Sequence, residues 1–421
     1  MAIMKERCEY EIRLKAIRIY EETGRFGHVV ESVHRSRGWL SKWLRRYRKF
    51  GLAGLRDQSR VPRHIPHQTP ESLVRKILAL RDELAAHKTR RAAFAGIGAE
   101  TIHFELHRQG IRRLPAISTI EKILDRAGKT KKVKVKRAPG GPPYPYVPAR
   151  KMGDLQQTDL VGPRHLRGPE GVTRFYSIHT FDVAGQTAAA SQFRDKRTIS
   201  LSRHLVDSWR VMGLPQVSQM DNEMSATGGG RYRYSLSQLI RLHLLLGVHL
   251  RFIPPKEPGR NAAIESFNAV WQARVLRHPC PDLRALRRTS DRFLEYYHVR
   301  KSSRSLTVAD HGTRFPGILR EQLWPTLRHL PSAFSLEHYL DDRGHRALPI
   351  AKGRVSFVRK VDAHGCIEFN GAEYFIRRKL ERQYVVATLS THHRRVFVKF
   401  EGKVIKTFSF PFVGKTVDPI A

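Results

Sequence analysis

Cysteine is scarce in this 421-residue chain, which holds only Cys8, Cys280 and Cys366, all far apart. No CxxC pair exists, so a zinc site of that type is excluded. Three distant thiols build no disulfide framework, and free packing cysteines in a reducing compartment are expected. Long apolar runs are missing too. The longest, such as Leu244 to Val248, fall far below the about 18 residues that span a bilayer. The first residues are charged from Lys5 onward and show no secretory apolar region, so a cytoplasmic, nucleoid-associated protein is expected. Acidic residues are the third shortage: 38 Asp+Glu face 77 Lys+Arg, a formal charge of +39. A surface so basic repels itself unless an anionic partner neutralises it, and nucleic acid is a stronger candidate than a membrane.

What is present describes a folded protein. At 40% hydrophobic and 27% charged residues the composition is globular, and the length allows roughly two to four domains. The charge is uneven. Residues 1–150 carry a net +20, 151–250 only +4, and 251–421 a net +15. Two basic regions thus flank a nearly neutral middle.

The N-terminal region reads as short helices. Ile12, Leu14, Ile17 and Ile19 mark the first, which Gly24 stops, and Val29 and Val30 fall on the second. In the third, Leu40, Trp43, Leu44 and Tyr47 form a buried stripe at i, i+3, i+4, i+7. Arg37, Lys42, Arg45, Arg46 and Arg48 take its other faces. A basic third helix fits the recognition element of a helix-turn-helix unit over 1–60. The pattern recurs over 61–128, where a last helix holds Ile120, Ile123 and Leu124, Ser118 or Thr119 as its N-cap, and Lys122 outward. Ser118, Thr119 and Lys122 join the expected DNA contacts. Residues 129–150, Lys-rich and then Pro/Gly-rich, read as an extended basic linker.

From residue 151 the texture turns to mixed α/β: three consecutive strands, then alternating helix and strand. Asp159 lies in the first strand, Asp221 closes the fourth, and Glu265 lies on a late helix for which Asn261 is the expected cap. A carboxylate on a buried strand needs a reason to be there, because an unpaired buried charge is expensive. Divalent metal is such a reason, since Mg²⁺ takes a few carboxylate oxygens. Glu265, Asn268 and Gln272 share one helix face. Ile264, Phe267, Val270, Trp271 and Val275 take the core side.

The segments Gln156-Gln157-Thr158-Asp159-Leu160, Gln219-Met220-Asp221-Asn222 and Pro258-Gly259-Arg260-Asn261 running into Glu265-Ser266-Phe267-Asn268, in this element order, resemble the catalytic core of the DDE transposases and retroviral-type integrases. Tandem helix-turn-helix units resemble the N-termini of bacterial insertion-sequence transposases, and 293–312 is similar to the family's post-catalytic helix and tail. The resemblance implies a ribonuclease-H-like core over 151–300, a helical connector over 301–345 and a small β-barrel over 346–415, which alternates as five short strands. The implied fold class is thus α/β multidomain, with all-α N-terminal units, an α/β core and a C-terminal β-barrel. It also implies a DNA transposase in which Asp159, Asp221 and Glu265 hold two Mg²⁺ (or Mn²⁺) ions. The element end is cut to free a 3′-OH, which then joins target DNA. Implied partners are double-stranded DNA at element ends and target, and further copies of the chain on that DNA; the need for a helper ATPase stays open. Asn268, Gln272, Arg274 and Arg277 are the expected DNA contacts of the core.

Two departures from the family pattern matter. Glu223 stands where the family commonly has Gly after Asp-Asn. The usual spacing from the second acid lands on Glu257, eight residues before Glu265. Glu257 is flanked by prolines and cannot lie inside a helix, so Glu265 is the expected third acid and Gly228-Gly229-Gly230 absorbs the excess. Asp154 and Asp182 are alternative acids nearby, with Asp182 read as structural. The rival reading is a catalytically decayed DNA-binding regulator derived from a transposase. A ribonuclease H is disfavoured by the basic flanks.

Overall fold

The computed structural model describes residues 2–57, 68–89, 92–130, 140–169, 171–222, 234–300, 324–339 and 348–421. Glu223, Gly228-Gly229-Gly230, the Lys-rich run 131–139, the tail beyond Arg300 and most of the expected connector lie outside them. The chain divides into two compact units, Met1–Pro70 and Glu71–Ala421.

In the first unit, α1 (Ala2–Thr23), α2 (Phe26–Val33) and α3 (Arg37–Phe50) enclose Ile17, Val29, Leu40, Trp43 and Leu44. Each helix ends where the chain can reverse hand. Gly24 and Gly51 have φ of 64° and 58°, a region glycine enters without steric cost. Ser36 caps α3 by accepting from the Trp39 amide at 3.2 Å. Arg13, inside this small core, donates to the Leu55 carbonyl at 2.9 Å, pairs with Asp57 at 2.9 Å and lies 3.9 Å from the Trp43 ring centroid.

The second unit opens with α4 (Glu71–Ala86), α5 (Ala99–Arg108) and α6 (Ile117–Arg126) around Ile77, Leu84, Ile102 and Ile120. The α6 cap position falls on Ala116, without a side-chain bond. Ser118 and Thr119 therefore lie within the first turn rather than at the cap. Leu114 and Ile117 both pack on this cluster, and that packing draws the helix start forward.

Next come β1 (Leu155–Gly168), β2 (Gly171–Asp182), β3 (Ala188–Phe193), α7 (Thr198–Met212), β4 (Val217–Met220), α8 (Gln238–Leu245), β5 (His249–Phe252), α9 (Ala262–Val275) and α10 (Leu283–Arg300). β1, β2 and β3 are antiparallel, whereas β4 and β5 join parallel to β1. Side chains alternate across the sheet. One face packs on α9 and α10 through Phe181, Phe267, Trp271 and Phe293. The other packs on α7 and α8 through Ile178, Leu205, Trp209 and Leu242.

The C-terminal strands depart from expectation. They are β6 (Ile350–Ala351), β7 (Arg354–Lys360), β8 (Cys366–Phe369), β9 (Ala372–Phe375), β10 (Tyr384–Ser390), β11 (Arg395–Phe400), β12 (Lys403–Ser409) and β13 (Thr416–Val417). A separate small barrel was expected. Instead β7 pairs with β5, giving one nine-stranded sheet in the order β12-β11-β10-β7-β5-β4-β1-β2-β3. No pairing among the described residues closes these strands on themselves. The reason is apolar: Phe252 of β5 stacks on Phe357 of β7 at 5.1 Å, in one core cluster that also takes Leu250, Val355 and Val398. In the expected helical connector, the described residues hold no α-helix, but 3₁₀ turns at Trp324–Thr326 and Leu336–His338 and a bridge from Arg328 to Leu214. Nor is the linker free along its length, since the Arg251 guanidinium donates to the Pro145 carbonyl and Tyr144 packs edge-on against Tyr384 at 5.2 Å.

Phe252 is fully buried between core and C-terminal strands. Phe252→Ala should cost about 3–5 kcal/mol. Urea unfolding followed by fluorescence and circular dichroism should show core and C-terminal strands lost in one transition. Early separate loss of the C-terminal strands would contradict a continuous sheet.

Candidate functional site

The parallel pairing of β1 with β4 sets the site. Gln157 and Gln219 are register partners, and so are Thr158 and Met220. Asp159 and Asp221 each follow one residue later, so they stand side by side where the ladder ends. With a period of two, Gln157 and Asp159 share a face, as do Gln219 and Asp221. That face carries α9.

The two glutamines fasten the start of α9. Gln157 Oε1 accepts from the Ile264 amide at 3.1 Å, meeting one of the helix's orphan N–H groups. Gln219 Nε2 donates to the Arg260 carbonyl at 3.1 Å and to Asn261 Oδ1 at 3.0 Å. Asn261 thus occupies the cap position without capping, because Gln219 takes its side-chain oxygen. Glu265 follows in the first turn, half-buried.

Asp159 lies half-buried within β1. Burial raises its pKa to about 6, and the negative charges of Asp221 and Glu265 push it the same way. The Leu160 amide and the Asn268 side chain oppose the rise. Asn268 Nδ2 donates to Asp159 Oδ2 at 2.7 Å. Among the described residues, only Asp362, in the turn before β8, with Cys366 and Glu373 of the β8–β9 hairpin bring three ligand atoms within 4.8 Å of one another.

The other acids have structural partners. Glu257 accepts from Arg260 Nε at 2.9 Å and from the Tyr384 hydroxyl at 2.7 Å. Asp182, fully buried, accepts from the Gly153 and Gly185 amides at 2.8 and 2.7 Å. Asp154 accepts from the Arg150 and Lys151 amides.

Several expected DNA contacts lie elsewhere. Asn268 is buried, and both ends of its amide are engaged. Arg46 donates to the Arg56 carbonyl at 2.7 Å and stacks over Trp43. It is drawn inward because that carbonyl closes the turn after α3. Gln272 accepts from Arg164. Arg274 packs against Gly96, and burial lowers its pKa; Arg277 leans on the Arg274 carbonyl. Arg37, Lys42, Arg45, Arg48, Ser118 and Lys122 are exposed, and Thr119 is half-buried.

Sequence reasoning missed Arg359, on β7. Its guanidinium donates to Asn222 Oδ1 at 2.7 Å, while Asn222 Nδ2 donates to the Ile253 carbonyl. A C-terminal strand therefore grips the residue next to Asp221. Burial lowers the Arg359 pKa to about 10. An arginine in an alternating strand carries no local signal of such a partner.

Comparison with known proteins adds the following. Residues 39–124 match a family described as Homeodomain-like domain. Among solved structures the chain is similar to a simian T-cell lymphotropic virus intasome in complex with PP2A regulatory subunit B56 gamma. That match has 13% identity over 75% of this chain and 95% of the other, with a TM-score of 0.31. Dimeric and trimeric forms of the HTLV-2 integrase catalytic core domain in complex with magnesium align at 11% and 12% identity. They cover 39% of this chain and 94% and 95% of theirs, each with a TM-score of 0.29. No helix among the described residues is long and apolar enough to cross a membrane.

Folding raises the Asp159 pKa, so between about pH 4 and 6 the native state binds a proton that the unfolded chain has released. Stability falls as pH rises through that window and stays lower above it. Asp159→Asn should therefore raise stability at pH 8 by about 1–3 kcal/mol in chelator and change little at pH 4. Thermal melts at the two pH values test this, and an equal shift at both would contradict the raised pKa.

Proposed function

We propose that this chain is a DNA transposase of the DDE type, related to the retroviral-type integrases. It binds the ends of a mobile element, cleaves them to free a 3′-OH and joins that end to target DNA. The observation that carries this reading is the convergence of three acids. Asp159 within β1 and Asp221 just past β4 stand together where the parallel pairing of those strands ends, and Glu265 is delivered to them by a helix tied to the same two strands.

The donor set suits a hard divalent cation. It is all oxygen and anionic, and burial together with repulsion from Asp221 and Glu265 raises Asp159. Two Mg²⁺ or Mn²⁺ ions suit an in-line phosphoryl displacement at such a set. Asp159, Asp221 and Glu265 would hold them, and metal bound there supplies charge stabilisation to the attacking and leaving oxygens of an in-line phosphoryl displacement.

The chain's own groups do the rest. Gln157 and Gln219 set where Glu265 stands, and Arg359 holds Asn222 beside Asp221. In the first step water attacks the scissile phosphate, the P–O3′ bond breaks, and the element keeps a 3′-OH while a proton leaves to solvent. In the second, that hydroxyl attacks a target phosphate and displaces the target's own 3′ oxygen. Neither step requires a covalent bond to protein. Arg37, Lys42, Arg45 and Arg48 on the outward face of α3 bind the duplex through its phosphates. The Homeodomain-like match over 39–124 supports that role. Of the two arginines at the end of α9, Arg274 is the more enclosed, and Arg277 is the better placed to reach phosphate. Several copies of the chain assemble on the paired element ends.

With labelled duplexes carrying the inverted repeats that flank the gene, wild type should process and join ends in Mg²⁺. Glu265→Gln should abolish both steps, and Glu257→Gln should leave them within about threefold. Intact end binding without any product from wild type would favour the decayed regulator. Binding should also weaken steeply with salt, by about 0.9 log units of affinity per log unit of salt for each phosphate neutralised. Alanine at Lys42, Arg45 and Arg48 should each reduce that slope by about one. A slope unchanged in the triple variant would remove α3 from the DNA interface.

A further inference from the structure

Behind Asp159 runs a buried chain of polar groups that the proposed chemistry does not itself use. His179 on β2 is the cross-strand partner of Asp159 on β1. Asn268 of α9 lies across both. Its Nδ2 donates to Asp159 Oδ2 at 2.7 Å, and its Oδ1 lies 2.6 Å from His179 Nδ1. Ser177 Oγ lies 2.7 Å from His179 Nε2, and Gln192 Nε2 donates to Ser177 Oγ at 3.1 Å. Gln192 also donates to Ser290 Oγ, which accepts from Trp271 Nε1 at 2.9 Å. Ser177, His179 and Ser290 are fully buried, and Gln192 and Asn268 nearly so.

The inventory of donors and acceptors leaves this chain one direction. An ionised carboxylate only accepts, so Asn268 must turn its nitrogen to Asp159 and its oxygen to His179. His179 Nδ1 must then carry the proton. Burial keeps the ring neutral, lowering its pKa to about 4, so Nε2 is bare and accepts from the Ser177 hydroxyl. The Ser177 oxygen in turn accepts from Gln192. Every donor from Gln192 through Ser177, His179 and Asn268 points at Asp159. Phe267 and Trp271 flank the imidazole with ring centroids at 5.4 and 4.7 Å and fix its plane.

We propose that His179 is a positioning residue for the Asp159 carboxylate, acting through Asn268, whose amide it holds with the nitrogen toward Asp159. Ser177 guards the tautomer. With the proton on Nε2 instead, a bare Nδ1 would face Asn268 and draw its nitrogen away, turning the amide oxygen onto the carboxylate. This deepens the metal-site reading and rests on it: a carboxylate is a good ligand only when its oxygens are aimed. Groups that orient metal ligands from behind commonly change metal affinity about 10–100-fold when removed.

The test is Mn²⁺ binding to the full, DNA-free chain by titration calorimetry, with wild type, His179→Phe, Asn268→Leu and the double variant compared. Phenylalanine keeps an aromatic ring between Phe267 and Trp271 and removes both nitrogens. Tenfold or greater weakening in each single variant is expected, with the double variant within twofold of Asn268→Leu. A merely structural His179 would instead give losses that multiply. Multiplying losses, or wild-type affinity in His179→Phe, overturn the proposal while leaving the metal site standing. No Mn²⁺ binding by wild type overturns the metal-site reading and this proposal with it. If His179→Phe does not fold, Ser177→Ala replaces it in the same cycle: severalfold weakening only while Asn268 is present supports the proposal, and none overturns it.

Discussion

The pairing of β1 with β4 is the constraint on which the candidate site depends. It makes Gln157 and Gln219 neighbours, and those two amides hold the first turn of α9 against the strand ends. It also makes Asp159 and Asp221 neighbours two residues further on, on the same face. A slip of either strand by one residue would turn its acid toward the α7 and α8 face, where Thr158, Thr180 and His204 already form their own buried hydrogen bonds. Register, helix placement and acid placement are therefore one decision.

The site is assembled against its own electrostatics. Three carboxylates converge, and burial with mutual repulsion raises Asp159. Such a cluster persists only when the surrounding structure holds it. That support comes from three directions: the Gln pair under α9, the hydrogen-bond chain ending at Asn268, and Arg359 reaching from β7 to Asn222. The last explains why the C-terminal strands are not a detached module. The sheet that carries them is continuous with the strands that carry the acids, and Phe252 against Phe357 seals the junction.

Charge follows the same division. The net +20 of residues 1–150 includes the exposed arginines and lysines of α3, while α6 presents Glu121 and Asp125 beside Lys122 and is far less basic. The middle segment, net +4, holds two of the three acids. Excess positive charge thus lies on the exposed faces of α3, and near-neutrality falls on the segment that holds Asp159 and Asp221.

Much of the fold was legible from periodicity, because helix stripes and strand alternation are local. Leu40, Trp43 and Leu44 bury as their spacing requires, and Gly24 and Gly51 end helices because few other residues tolerate that backbone. The three acids, each weak evidence alone, stood out together through their element order and the family resemblance of the strings around them. Roles set by a distant partner were illegible. Asn268 looks like any polar residue on an exposed face until β2 places His179 beneath it. Arg359 looks like a surface cation until β7 pairs with β5. Asn261 looks like a helix cap until Gln219 takes its oxygen. The sequence by itself determined which segments become helix or strand and where acid and base concentrate, since those depend on residues a few positions apart. Only the tertiary structure decided which polar groups face inward and what each one holds, since their partners lie about a hundred residues away along the chain.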